Sequence, residues 1–325
     1  MPKCGSHHLI SRAALYFARG VVVVAALCAL QACVRAGFSE QGVALDLGPD
    51  LGPDQGPEAA LDLGPARLAL CAELPDADVL ALFLFGGSGT TLDNTVVGGP
   101  VGSLMGAGAQ RVAGPVRCGG SALQFPMSVL EVCGGCDVGG GFCATDPAHG
   151  VLPASLGANL DSGSVDLWVR FDGVPHSNHP QGILSRDAQH ELDPGHFTLH
   201  RLLDGSIGVR IQDGLDMSDE PFICSAPVPE DEWHHVLVNF GPEGLQLQVD
   251  GQWVAVPKTV GTTLCVSDSP VSVGIAGNAE PWLVGASSVF SCTGTALPAT
   301  TPVPGTIARL RISRVRRDFS VDFGE

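Results

Sequence analysis

Cysteine, histidine and tryptophan are the side chains of this 325-residue chain with most chemistry to offer, and it holds 11, 10 and 4 of them. Cys4 and Cys28 lie in an apolar, basic N-terminal stretch and Cys33 lies at its end. Cys71, Cys118, Cys133, Cys136, Cys143, Cys224, Cys265 and Cys292 follow. An even set in an exported chain reads as disulfides, each restraining a long Gly-rich loop by ~2–4 kcal/mol. The spacing leaves their pairing open. The rival chemistry is zinc at Cys133-x-x-Cys136 with Cys143, which lacks a second such pair or a close pair of histidines. His176, His179, His190, His196 and His200 cluster in sequence, but the first four lie in or near loops and none has helical spacing to another, so they read as loop histidines. Trp168 is on the polar register of a strand, and Trp253 and Trp282 lie near turns. Such rings stack on sugars or cover the rim of a sheet, and both readings stay open. There is no Ser nucleophile elbow, phosphate loop or nucleotide fingerprint.

The elements that must position these residues are strands. In the stretch 232–256, Leu245, Leu247 and Val249 alternate with Gln246, Gln248 and Asp250, which predicts one buried and one wet face. Asp250-Gly251 then supplies a two-residue hairpin turn. Val236, Val238 and Phe240 alternate with Leu237 and Asn239 in the preceding strand. Val165, Leu167, Val169 and Phe171 alternate with Asp166, Trp168 and Arg170. A second two-residue turn is expected at Asp204-Gly205, between strands 197–203 and 206–212. Further strands are expected at 79–85, 121–125, 271–275 and 306–315, the last with Arg309 and Arg311 outward. Residues 98–120 and 276–305 read as long connections, and 132–144, with three cysteines, as an insertion on a rim. Many short strands with Gly-rich turns and no convincing long amphipathic helix predict an all-β, two-sheet antiparallel sandwich.

Composition bounds the partners. The formal charge is −17, which argues against nucleic acid, whose affinity comes from Lys and Arg meeting phosphate. It is compatible with cations, neutral sugars or basic proteins. Lys3, Arg12 and Arg19 with the apolar run 21–30 make residues 1–32 a signal peptide, too short in its core to span a bilayer. Leu30-Gln31-Ala32-Cys33 resembles a bacterial lipobox, implying cleavage before Cys33 and lipidation of its thiol. Ordinary secretion is the alternative. Residues 33–70 read as a disordered tether, because Gly and Pro recur through 44–65 and Asp46, Asp50, Asp54, Glu58 and Asp62 repel one another. Residues 71–325 are the folded domain.

Within that domain, Trp233-His234-His235-Val236 followed by Val249-Asp250-Gly251 resembles the laminin-G-like, concanavalin A-like jelly-roll domains. Ala81 to Phe85 with Gly87-Ser88-Gly89-Thr90-Thr91, Gly120 to Phe125, Val165 to Phe171 and Gly182 to Ser185 match further strands of that family in order, over roughly residues 75–320. The resemblance implies a jelly-roll, and His234 and His235 as framework residues. It also implies calcium at Asp93, after the G-S-G-T-T loop. The acids expected in the last strand are replaced by Ala308 and Arg309, whose charge repels an ion. Glucanases of this fold use an E-x-D-x-x-E strand with two carboxyls flanking the scissile bond. Glu191-x-Asp193-x-x-His196 lacks the last acid and contains Pro194-Gly195, so no enzyme is expected.

The expectation is a non-catalytic module anchored by lipid to the bacterial envelope, binding a glycan or an exported protein. Val34 after Cys33 is not the Asp of inner-membrane retention, so the outer membrane is preferred. The alternative is a structural envelope lipoprotein with no small ligand, and an enzyme acting on glycosides is the third.

Overall fold

Alternation of Val165, Leu167, Val169 and Phe171 with polar neighbours sends one set of side chains to each side of a strand. In the computed structural model that strand is the middle of one of two large sheets. The structure describes residues 76–115, 120–127, 130–133, 141–144, 147–157, 159–175, 180–186, 195–212, 222–254, 258–260, 263–266, 273–275, 277, 279–287 and 301–318. Of 130–133, 141–144, 258–260 and 263–264 the backbone alone is described. The signal peptide, Cys33, the tether and Cys71 lie outside these residues, as do Cys118, Cys136 and Cys292, and nothing is described of the Cys133 and Cys143 side chains.

The strands run in chain order as β1 (Val79–Phe83), β2 (Thr91–Leu92), β3 (Gly102–Met105), β4 (Gln110–Ala113), β5 (Ser121–Phe125), β6 (Leu130–Cys133), β7 (Gly141–Ala144), β8 (His149–Leu152), β9 (Gly163–Phe171) and β10 (Gln181–Arg186). They continue as β11 (His196–Arg201), β12 (Ser206–Gln212), β13 (Phe222–Pro227), β14 (Trp233–Phe240), β15 (Gln246–Val249), β16 (Gln252–Trp253), β17 (Lys258–Val260), β18 (Thr263–Cys265), β19 (Trp282–Val284) and β20 (Gly305–Ser313). No helix occurs among the described residues.

The first sheet has eight strands in the order β16-β15-β14-β9-β20-β5-β4, with β1 also pairing β20. β5 and β1 share one edge of β20: β5 takes Gly305–Ala308 and β1 takes Leu310–Ser313. The change of partner falls where β20 bulges against β9 between Ala308 and Arg311, with Arg309 at φ +44°. The second sheet also has eight strands, β13-β12-β11-β10-β19-β8-β3-β2. Every strand pair in both sheets is antiparallel.

The core lies between the sheets. Val165, Leu167, Val169 and Val238 from the first meet Phe197, Leu199, Val209 and Ile211 from the second. The expected alternation therefore places the apolar register correctly. The Asp250-Gly251 turn also forms as read, with φ +52° and +77° and Val249 paired to Gln252.

Several expectations change. The turn at Asp204-Gly205 is not a two-residue one. Leu202 N–H donates to Ser206 O, and Gly205, at φ +84°, donates to Leu202 O, so the loop is one residue longer and glycine takes its left-handed position. The long connections contain β3, β4 and β19, and the cysteine insertion contains the β6–β7 hairpin. β19 escapes a periodicity search because it is a short apolar strand buried on both faces between β10 and β8. In 271–275 the described residues form only a bridge, Ile275 to Leu160. Nor is the polar register of β14, β15 and β20 wet. Gln248, Asn239, Arg309 and Arg311 are all buried.

Candidate functional site

The outer face of the first sheet is built by register. Side chains of paired residues point the same way, so Ala122 on β5, Ala308 on β20, Trp168 on β9 and His235 on β14 form one row across the strands. Gln110, Gln124, Thr306, Arg170 and Trp233 form the row beside it. Leu237, Gln248 and Trp253 form another at the β14–β16 edge.

The row of Ala122, Ala308, Trp168 and His235 is closed to ligand, as is the Asp166–Arg311 pair on the side away from Arg170. Asp166 is fully buried, and its Oδ2 accepts from Arg311 Nε at 2.5 Å while its Oδ1 faces His235 Nε2 at 3.4 Å. Burial works against the Asp166 carboxylate, but Arg311 and then His235 outweigh it and hold its pKa below the ordinary range. His235 is pulled the other way: burial dominates, against the pull of Asp166, and lowers its pKa. This pair is a structural post of the sheet, not a poised acid and base.

The three tryptophans singled out by sequence separate. Trp282 is 0% exposed. Its indole packs 5.3 Å from the Phe197 ring and donates from Nε1 to Leu156 O at 2.7 Å, so it is core and not a sugar platform. Trp168, though on the polar register, is 6% exposed, tilted against His235 and packed with Leu237, Ala122 and Ala308. It too presents no ring face to a ligand. Trp253 is 46% exposed at the sheet edge, beside Gln248 on the same face.

Sequence reading missed the row that remains partly open, in which Gln124, Arg170 and Trp233 are half-buried and Thr306 is buried between them. Arg170 and Asp172 are each 32% exposed in their side chains and bond to each other, Arg170 Nε donating to Asp172 Oδ1 at 3.3 Å. Gln124 Nε2 donates to Asp172 Oδ2 at 3.1 Å, and Arg170 Nη2 donates to Thr306 Oγ1 at 3.4 Å. The Arg170 guanidinium lies 5.7 Å from the centroid of the half-buried Trp233 ring. The only sequence signal was Arg170, near the end of β9, with Asp172 two residues on, just past it; their partners come from 48 and 136 residues away.

Asp93 is exposed, beside Gly87, where a Cβ added to that glycine would lie 3.4 Å from Asp93 Oδ2. The carbonyls of the loop before it are already held by a cation of the chain itself. Arg111 on β4 donates from Nε to Phe85 O and Gly86 O, both at 3.2 Å, and from its terminal nitrogens to Gly89 O and to Thr91 O, the latter at 2.7 Å. A guanidinium among these oxygens opposes a calcium ion there by charge and by taking the donors it needs. Among the described residues no three His, Cys, Asp or Glu side chains converge to hold a metal.

His196 is buried and His200 half-buried, both on β11; His176, His179 and His190 lie outside the described residues, as do Glu191 and Asp193. Burial, helped by Arg210, holds the His200 pKa down to about 3. Of the cysteines, Cys224 and Cys265 form a disulfide that joins β13 to β18 across a sequence separation of 41, with Cα atoms 5.6 Å apart.

Solved structures similar to this chain are found at low identity. Domain 4 of AbnA, an extracellular arabinanase of Geobacillus stearothermophilus solved with arabinotriose, is similar at 14% identity and a TM-score of 0.46, covering 77% of this chain and 98% of that one. The binding domain of botulinum neurotoxin DC, solved with rat synaptotagmin II, is similar at 9% identity and a TM-score of 0.48, covering 76% of this chain and 50% of that one. The Ruminococcus gnavus IT-sialidase CBM40, bound to α2,3-sialyllactose, is similar at 16% identity and a TM-score of 0.37, covering 52% and 84%. No curated protein matches the sequence. A laminin-G family of concanavalin A-like lectins and glucanases matches residues 148–315, more than half of the chain, and spans both sheets from β8 to β20. The chain belongs to the concanavalin A-like lectin/glucanase superfamily.

Proposed function

We propose that the chain is a non-catalytic binding module, lipid-anchored through Cys33 to the outside of a bacterial envelope and held off the membrane by residues 33–70. It recognises a glycan or an exported protein through the outer face of the first sheet. The superfamily includes both binders and enzymes, so the fold by itself selects neither. The observation that carries the reading is Trp253, an aromatic 46% exposed at the end of a row whose other members, Leu237 and Gln248, are buried. An indole needs one apolar contact surface and offers it here to a partner.

The test is a glycan-array screen of the full chain, oxidised, with Trp253→Ala alongside and pull-down from envelope extracts as a second arm. Dose-dependent binding lost in the variant supports the reading. No binding in either arm by folded protein sinks it and returns weight to a structural envelope lipoprotein.

A further inference from the structure

We infer that the row Gln124–Thr306–Arg170–Trp233, with Asp172 bridging its middle, is a recognition strip for neutral oligosaccharide. This rests on the binding reading above and names its ligand class and a second set of contacts.

Four strands in succession, β5, β20, β9 and β14, contribute one member each, so the strip runs perpendicular to the strands with a step of ~4.8 Å. Its exposed polar groups, those of Gln124, Arg170 and Asp172, are planar and fixed, while the buried Thr306 holds Arg170 from within the row. Asp172 holds Arg170 with one oxygen and Gln124 with the other, which locks all three side chains before any ligand arrives. Pre-organisation of this kind lowers the entropy that binding must overcome. Arg170 Nη1 and the Gln124 side-chain carbonyl take no part in these bonds, leaving a donor and an acceptor about two strands apart. A ring carrying neighbouring hydroxyls, each both donor and acceptor, matches that pattern. The half-buried Trp233 closes the strip with an apolar surface for the C–H face of a sugar.

Charge decides the class. Arg170 and Asp172 neutralise each other. Asp231 and Glu232 are exposed immediately before Trp233, and the Asp231 N–H donates to Phe171 O at 2.9 Å, which brings that acid beside Asp172. The chain as a whole carries −17. A sialylated or uronic sugar meets this repulsion within a Debye length of ~8 Å, and a neutral one does not.

The experiment is calorimetric titration of the full chain with arabinotriose, xylotriose, cellotriose and maltotriose, and with sialyllactose and trigalacturonic acid. Arg170→Gln, Asp172→Asn, Trp233→Phe and the pair Asp231→Asn/Glu232→Gln are compared after thermal unfolding shows each folded. The expected result is binding of a neutral sugar that falls tenfold or more in Arg170→Gln and Asp172→Asn, with the acid-pair variant unchanged for that sugar and gaining affinity for the anionic ones. Neutral-sugar binding that survives in both strip variants overturns the strip while leaving the binding module standing. Preference of the wild type for an anionic sugar overturns the ligand class alone. No saccharide bound, with an envelope protein captured specifically, overturns the strip and keeps the protein-binding half of the reading; no saccharide and no capture overturns both.

Discussion

His234 Nδ1 lies 2.8 Å from Asp250 Oδ2, and the other oxygen of the same carboxylate accepts the backbone N–H of His235 at 2.8 Å. His234 Nε2 faces Pro229 O at 3.0 Å. One side chain therefore ties the tip of the β15–β16 hairpin to the start of β14. This gives a physical reason for W-H-H-V and V-D-G to occur together: the aspartate both takes the positive φ of the turn and receives the two donors of the neighbouring strand. These histidines are framework.

Replacing Asp250 separates turn from charge. Asn-Gly keeps the turn type, but an amide presents a donor where one of the two N–H groups needs an acceptor. Asp250→Asn should cost about 1–3 kcal/mol. Burial opposes the charged His234, and Asp250 outweighs it, so the folded pKa is raised. That contribution is full below the unfolded value of ~6.5 and is lost as pH rises through the folded one. Urea unfolding should show a larger gap between wild type and variant at pH 5.5 than at pH 8.5. An equal gap at both would mean that the pairing carries no charge energy.

Arg111 predicts calcium independence. Its guanidinium bonds the carbonyls of Phe85, Gly86, Gly89 and Thr91. The melting temperature should be the same in calcium and in chelator. Arg111→Ala should lower stability by about 1–3 kcal/mol, and Arg111→Lys should not restore it, because an ammonium cannot reproduce a planar fork. A calcium-dependent rise in the wild type would contradict this placement of charge.

The Cys224–Cys265 bridge closes a long loop between β13 and β18. From loop closure alone, with a separation of 41, its removal should cost about 4 kcal/mol. Cys224→Ser/Cys265→Ser can be read by denaturant midpoint against wild type. An unchanged midpoint would show that the flanking strands hold this corner without it.

His200 predicts acid sensitivity. Its pKa is held down to about 3 by burial and then by Arg210. A histidine neutral in the fold and charged when unfolded gives stability that is full above pH ~6.5 and lost as pH falls from there towards its folded value. His200→Gln should flatten the decline over that window by at most about 1.4 kcal/mol per pH unit. Parallel curves for the two proteins would show that the imidazole titrates alike in the folded and unfolded chain, against the lowered pKa.

The sequence by itself determined the strands that carry a period-two pattern, β9, β12, β14 and β15, because burial of one face is written locally in alternate residues. It determined the Asp250-Gly251 turn for the same reason, since backbone sterics at two residues suffice. Tertiary structure alone decided whether the polar register was wet. Trp168 and Gln248 read as outward and are buried, because their neighbours, Ala122, Leu237 and Ala308 for Trp168 and Asp318 for Gln248, come from distant parts of the chain. Trp282 read as a turn residue and is core, because β19 lies between β10 and β8. The candidate strip was illegible for the same cause. Arg170 meets Asp172 two residues away, but Gln124 and Thr306 reach the pair only through the order in which β5, β20 and β9 assemble, and strand order is a property of the whole core rather than of any one segment.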